Sequence, residues 1–131
     1  MKTKTLLMAA AAAEFGTGLG LLIVPSLVAE LLFGQALGTV ESMLVGRVAG
    51  AALMAIGLAC GLEGTDRRAG SPTALLAALL LYNAVVAVLL ALGALFQDVH
   101  GMLLWPVVVV HAAFAIWCAT SLTSERRASG P

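Results

Sequence analysis

The sequence has little that water would solvate. Only 11% of its 131 residues are charged, against roughly 25% in ordinary soluble domains. With 61% hydrophobic residues and a mean hydropathy of +1.04, no water-facing surface can be assembled, so the surrounding solvent is lipid. Aromatics are scarce at 5%, and seven Lys and Arg are balanced by seven Asp and Glu. No basic patch or aromatic ladder is present, which excludes a nucleic-acid partner. There are only two cysteines, Cys60 and Cys118. Both sit inside apolar runs without CxxC or Cys/His spacing, which argues against a metal or redox motif. They are expected as small apolar filler near one membrane face. No phosphate-cradling loop or nucleophile–base pair occurs, and haem ligation lacks a second axial histidine at depth, because His100 belongs to a loop. No catalytic residue, metal or cofactor is expected.

What is present is apolar sequence in long runs. Thr5 to Phe33 is too long for one straight span of about 20 residues. Pro25 divides it, since proline cannot continue the helical hydrogen-bond ladder and disfavours helix in the residue before it. The reading is a span over 5–24 followed by an interfacial segment over 26–34, "SLVAELLFG". Further spans follow over 42–62, 73–96 and 102–122, with Pro106 in the first turn of the last. The connections "QALGTVE", "EGTDRRAGSP" and "QDVHG" are short, and short connections make successive helices antiparallel neighbours. The expectation is one all-α domain over 1–131, an up-and-down bundle of four transmembrane helices.

Charge sets the orientation. Lys2, Lys4, Arg67, Arg68, Arg126 and Arg127 all flank spans on one side, and the other two connections have no Lys or Arg. The positive-inside rule then puts both termini in the cytoplasm, with the chain multi-pass in a bacterial inner membrane. Trp105 and Trp117 fit interfacial anchors near the two boundaries, and "TSERRASGP" reads as a disordered tail. A cleaved signal peptide competes for the start, because "MKTKTLLMAAAAAE" has a basic end, a short apolar core and an Ala-x-Ala site. Apolar sequence runs on past Ala13, however, and cleavage would leave only 15–33 for the first span and remove Glu14 with its helix segment. The span is preferred.

Four polar residues stand out at depth in the spans, one per helix: Glu14, Arg47, Asn83 and His111. At 1.5 Å per residue, Glu14, Asn83 and His111 fall about 13–15 Å deep, near the midplane. Arg47 falls about 8 Å in from the outer side, with a side chain long enough to reach inward or to snorkel outward. A charge at the bilayer centre costs roughly 2.5–3.5 kcal/mol on insertion scales and usually faces a partner. The expected partners are Glu14 and Arg47 on sequential helices, either as a structural ion pair or as part of a pocket for a small-molecule ligand or a proton pathway. Asn83 is expected mainly as interhelical glue. His111 is expected mainly as a packing residue whose titration near neutrality would suit a relay.

Gly16/Gly20, Gly46/Gly50 and Gly57/Gly61 have the GxxxG spacing that lets helix backbones approach in lipid. Packing within the bundle is the first expectation, and a homodimer seam or a docking face for a larger membrane complex is the second. Each half of the chain goes out and back, with Glu14 and Asn83 on corresponding first helices and Arg47 and His111 on corresponding second ones. No residue-level repeat accompanies this symmetry.

"GRVAGAALMAIGLACGL", an arginine leading a glycine-spaced helix in a four-span layout, resembles the DoxX-like group of small bacterial membrane proteins. That resemblance implies a bundle with an accessory role beside redox or stress-response partners, and it brings no catalytic residue. The start "AAAAEFGTGLG" looks like the first helix of small multidrug resistance transporters, in which Glu14 would be the proton-exchanging carboxylate. The likeness covers about ten residues, and both Arg47 and the firm charge bias depart from that pattern. The function expected first is therefore a non-enzymatic accessory or scaffold subunit. The alternative is a proton-coupled transporter or small-molecule binder.

Overall fold

The computed structural model describes residues 2–66 and 72–128. Arg67 and Arg68 lie outside the described residues, as do the side chain of Lys2 and residues 129–131. The described chain is all-helical: α1 (Lys2–Ile23), α2 (Pro25–Phe33), α3 (Val40–Thr65), α4 (Thr73–Phe96) and α5 (Leu104–Ala128). Four of these helices are long and apolar enough to cross a membrane, and the protein is a multi-pass integral membrane protein. α2, at nine residues, is about 13 Å long and too short to cross.

Local chemistry sets the boundaries. Pro25 opens α2 at a position where a missing N–H costs nothing. Gly34 closes it in the left-handed conformation at φ 79° and donates its N–H to the Glu30 carbonyl. α3 begins with a capping box: the Ser42 N–H donates to Thr39 Oγ1 at 3.1 Å and the Thr39 N–H to Ser42 Oγ at 3.2 Å. α5 runs on through Ala128, so the helix takes up most of the segment expected as a disordered tail. Thr123 and Ser124 hydroxyls donate back to the Thr120 carbonyl, the Thr3 hydroxyl donates to Glu125 at 3.1 Å, and Arg126 and Arg127 suit the negative end of the helix dipole.

The four long helices alternate in direction, but they do not all pack as chain neighbours. α1 packs along α3, and α4 along α5; the remaining contacts are much sparser, and α3 and α4 make almost none. Each half of the chain is thus a tight antiparallel pair, and α1 meets α5 between them. The pairs converge at the end holding both termini, where Leu6, Leu7, Ala10, Cys60, Leu76, Leu79, Cys118 and Leu122 form the core. Trp117 is drawn into this core and stacks on Phe114 at 6.4 Å, whereas Trp105 stays half-exposed at the far end. Cys60 and Cys118 are fully buried free thiols.

The α1/α3 seam is a backbone-to-backbone contact. A Cβ at Gly18 would stand 2.6 Å from the Gly50 carbonyl oxygen, and one at Gly50 would stand 2.6 Å from the Gly18 oxygen. Gly57 abuts Phe15 and Ala11, Gly64 abuts Leu7 and Met8, and Gly46 makes room for Pro25. At the other end α2 covers the bundle, and the loop before α5 lies on it. The His100 and Leu103 N–H groups donate to the Phe33 and Leu31 carbonyls, satisfying acceptors that a helix C-terminus leaves open.

Candidate functional site

One turn above the core sits a polar cluster drawn from three helices. Glu14 on α1 and Asn83 on α4 are buried at 5% and 1% exposure. Each is four residues beyond a core residue, Ala10 or Leu79, and so lies on the same helix face. The Tyr82 hydroxyl donates to Glu14 Oε2 at 3.2 Å, bridging the two helix pairs. The Tyr82 ring meets His111 of α5 edge-on, with centroids 5.7 Å apart and planes at 79°. His111 Nδ1 lies 2.8 Å from Asn83 Oδ1, and Asn83 Nδ2 donates to the Leu79 carbonyl at 2.8 Å. Because the Asn83 nitrogen is committed to that carbonyl, its oxygen must accept, which puts a proton on His111 Nδ1. No buried side-chain nitrogen or oxygen among the described residues lacks a hydrogen-bond partner.

Three of the four polar candidates therefore come together, and Arg47 does not join them. The expected Glu14–Arg47 ion pair is absent: among the described residues Arg47 makes no ion pair and is exposed. The cause is register. Gly50 faces Gly18 and Leu22 while Gly57 faces Ala11 and Phe15, so Arg47 lies level with the end of α1, about 13 Å along the bundle from Glu14. The carboxylate's partner is Tyr82, one position from the nearest candidate the sequence singled out. A tyrosine inside an apolar run, one residue before Asn83, was the signal available.

The glycines divide as well. Gly50 and Gly57 lie on the α1/α3 seam, joined by Gly18 and Gly64, which the GxxxG spacing does not pick out, whereas Gly46 faces Pro25 of α2 and Leu37. Gly61 has ordinary contact with Ala11, Gly20 meets only Val28, and a Cβ at Gly16 would meet nothing within 4 Å. Two residues are about 200° of helix, so Gly16 and Gly20 lie on the side of α1 away from Gly18. Ala12, Ala13 and Thr17 are exposed there with Gly16.

Among the described residues no group of three or more His, Cys, Asp and Glu is placed to hold a metal ion. Chemically, the cluster can clamp three helices together and can carry a proton at Glu14 or His111. The chain matches no protein-family model, no curated protein and no solved structure among those it was compared with.

Proposed function

We propose that this chain is a non-enzymatic accessory or scaffold subunit of a larger assembly in a bacterial inner membrane, with both termini in the cytoplasm. The observation that carries this is the outward face of α1. Ala12, Ala13, Gly16 and Thr17 are exposed there, and a Cβ at Gly16 would meet no other helix within 4 Å among the described residues. Within a bilayer such a small-residue face lets another helix approach closely. The bundle does not use it for its own packing, because Gly18 takes the α3 contact. The polar cluster supports the same function, since satisfied hydrogen bonds between Tyr82 and Glu14 and between His111 and Asn83 suit a clasp between helices. The resemblance to the DoxX-like group fits an accessory role.

The test is Gly16→Leu, read in native membranes extracted without detergent exchange. The complex should shrink to the single chain while the unfolding midpoint of the purified protein stays unchanged. A wild-type chain that runs alone, or a complex that Gly16→Leu leaves intact, would overturn the proposal.

A proton-coupled transporter or small-molecule binder is the second function, favoured by one feature: the titratable side chains of Glu14, Tyr82 and His111 meet across three helices, the first two through a hydrogen bond and the last two through an edge-on ring contact. Under it, Glu14→Gln in proteoliposomes abolishes proton-linked flux of organic ions without lowering stability. Equal flux in wild type and variant removes that function.

A further inference from the structure

Arg47 is left unexplained by the bundle's own packing and by the proposed docking face. It sits in an open groove of about 460 Å³ lined by residues 37–40, Met43, Leu44 and Arg47. The walls are apolar except for the Thr39 hydroxyl, which is already engaged with Ser42 in the helix cap, and the guanidinium itself. Arg47 has no hydrogen bond or ion pair among the described residues. Val40, Leu44 and Arg47 recur at i, i+4 and i+7, so they form one stripe from the start of α3 to the Arg47 backbone about 10 Å further down, and the Arg47 side chain lines the groove beside residues 37–40. Leu44 and Val48 continue that stripe as exposed apolar surface, at 61% and 62%.

The geometry points to a binding site for one anionic phospholipid of the leaflet at the α2 end. Its phosphate pairs with the Arg47 guanidinium, whose planar fork suits two phosphate oxygens at once. The phosphate lies in the groove beside residues 37–40, which the Arg47 side chain also lines, the glycerol follows below it, and an acyl chain runs down Leu44 and Val48. Charge complementarity selects the headgroup. The groove offers one cation and no carboxylate in its lining, so a headgroup of net charge −1 is matched, whereas the ammonium of a choline headgroup finds no partner. Glu41 is outside the lining, about 120° round α3 from Arg47. The groove is also too large and too apolar to be filled by a single carboxylate side chain from another protein.

The experiment is native mass spectrometry of the purified full chain with equal amounts of phosphatidylglycerol and phosphatidylcholine, and with oleate as a free anion. Wild type should retain one phosphatidylglycerol in preference to phosphatidylcholine by about tenfold, the scale of one charge-assisted hydrogen-bonded contact. Arg47→Gln should lose the preference and Arg47→Lys should keep only part of it. Leu44→Trp fills the groove with Arg47 intact and should also lose the retained lipid, so the site is tested even where the arginine variant is poorly behaved. Equal retention of the two phospholipids by wild type, or undiminished retention by Arg47→Gln or Leu44→Trp, would overturn the site. Oleate held as well as phosphatidylglycerol would replace the phospholipid by a simple fatty acid anion. A photo-crosslinking residue at Leu44 should form lipid adducts in membranes, and a protein adduct there would replace lipid by a partner subunit.

Discussion

Adding a single methyl group to Gly50 should part the two helices of the first pair. The new Cβ would stand 2.6 Å from the Gly18 carbonyl oxygen, 2.8 Å from the Leu22 nitrogen and 2.9 Å from the Leu21 Cβ. Two of these are backbone atoms of a regular helix and cannot swing aside as a long side chain can. Ordinary contact begins at 3.4 Å, so the helices must separate by up to 0.8 Å (3.4 minus 2.6) at this crossing. Overpacking of this kind costs about 1–3 kcal/mol. Opening a gap of 0.5–1 Å forfeits roughly a quarter to a half of each dispersion contact on either side. Against that stands the gain of alanine over glycine within a helix, about 0.5–1 kcal/mol. The clash wins, and Gly50→Ala should destabilise by about 1–2 kcal/mol.

The internal control is Gly16→Ala on α1. With nothing within 4 Å of the added methyl, only the backbone gain remains, and the variant should be neutral or more stable by up to about 1 kcal/mol. Gly18→Ala, whose methyl would meet Gly50 oxygen and Met54 nitrogen at 2.6 and 2.7 Å, should resemble Gly50→Ala. The double variant should cost less than the two combined, because the first methyl has already opened the seam. Reversible unfolding in mixed micelles of a mild detergent and dodecyl sulfate reads all four. Gly50→Ala as stable as wild type, or Gly16→Ala as damaging as Gly50→Ala, would refute the reasoning.

Other perturbations read the rest of the structure. Tyr82→Phe strips a buried carboxylate of its donor and should cost about 1–3 kcal/mol; a double-mutant cycle with Glu14→Gln in the same micelle titration should show coupling, and zero coupling would refute the contact. Exchanging the charges, Glu14→Arg with Arg47→Glu, should be no more stable than its worse single variant, since the two residues lie about 13 Å apart along the bundle; recovery of wild-type stability would contradict the register. Gly101→Ala places a methyl on the Leu32 carbonyl and should release the loop from α2, seen as faster amide exchange at His100 and Leu103 with the core unchanged; unaltered protection would exclude that contact.

Composition and run length carry the architecture because lipid leaves a chain so few choices. A backbone in hydrocarbon must satisfy its own hydrogen bonds, so each long apolar run becomes a helix, and Pro25 and Gly34 mark where α2 begins and ends. The polar cluster was half legible. Glu14, Asn83 and His111 stand out because they are costly at depth, and depth alone sets them at one level. Which groups touch depends on quantities a single sequence does not display, chiefly helix rotation and axial register. Glycines spaced four apart announce that some face is smooth, but not which smooth face the partner helix takes. On α1 it takes Gly18, only 200° from both Gly16 and Gly20, and that one choice decides much else.

With Gly18 against Gly50, α1 is turned so that Glu14 enters the bundle toward Tyr82 of α4 and Gly16 faces out. The same crossing fixes the axial register that carries Arg47 to the α2 end, beyond reach of any midplane group. Had α1 presented Gly16 and Gly20 to α3, its Gly18 face would have been turned outward. The cluster, the free face and the solitary arginine thus descend from a single packing decision. Substitutions at Gly18 or Gly50 should disturb all three, whereas substitutions at Gly16, Tyr82 or Arg47 should each disturb one.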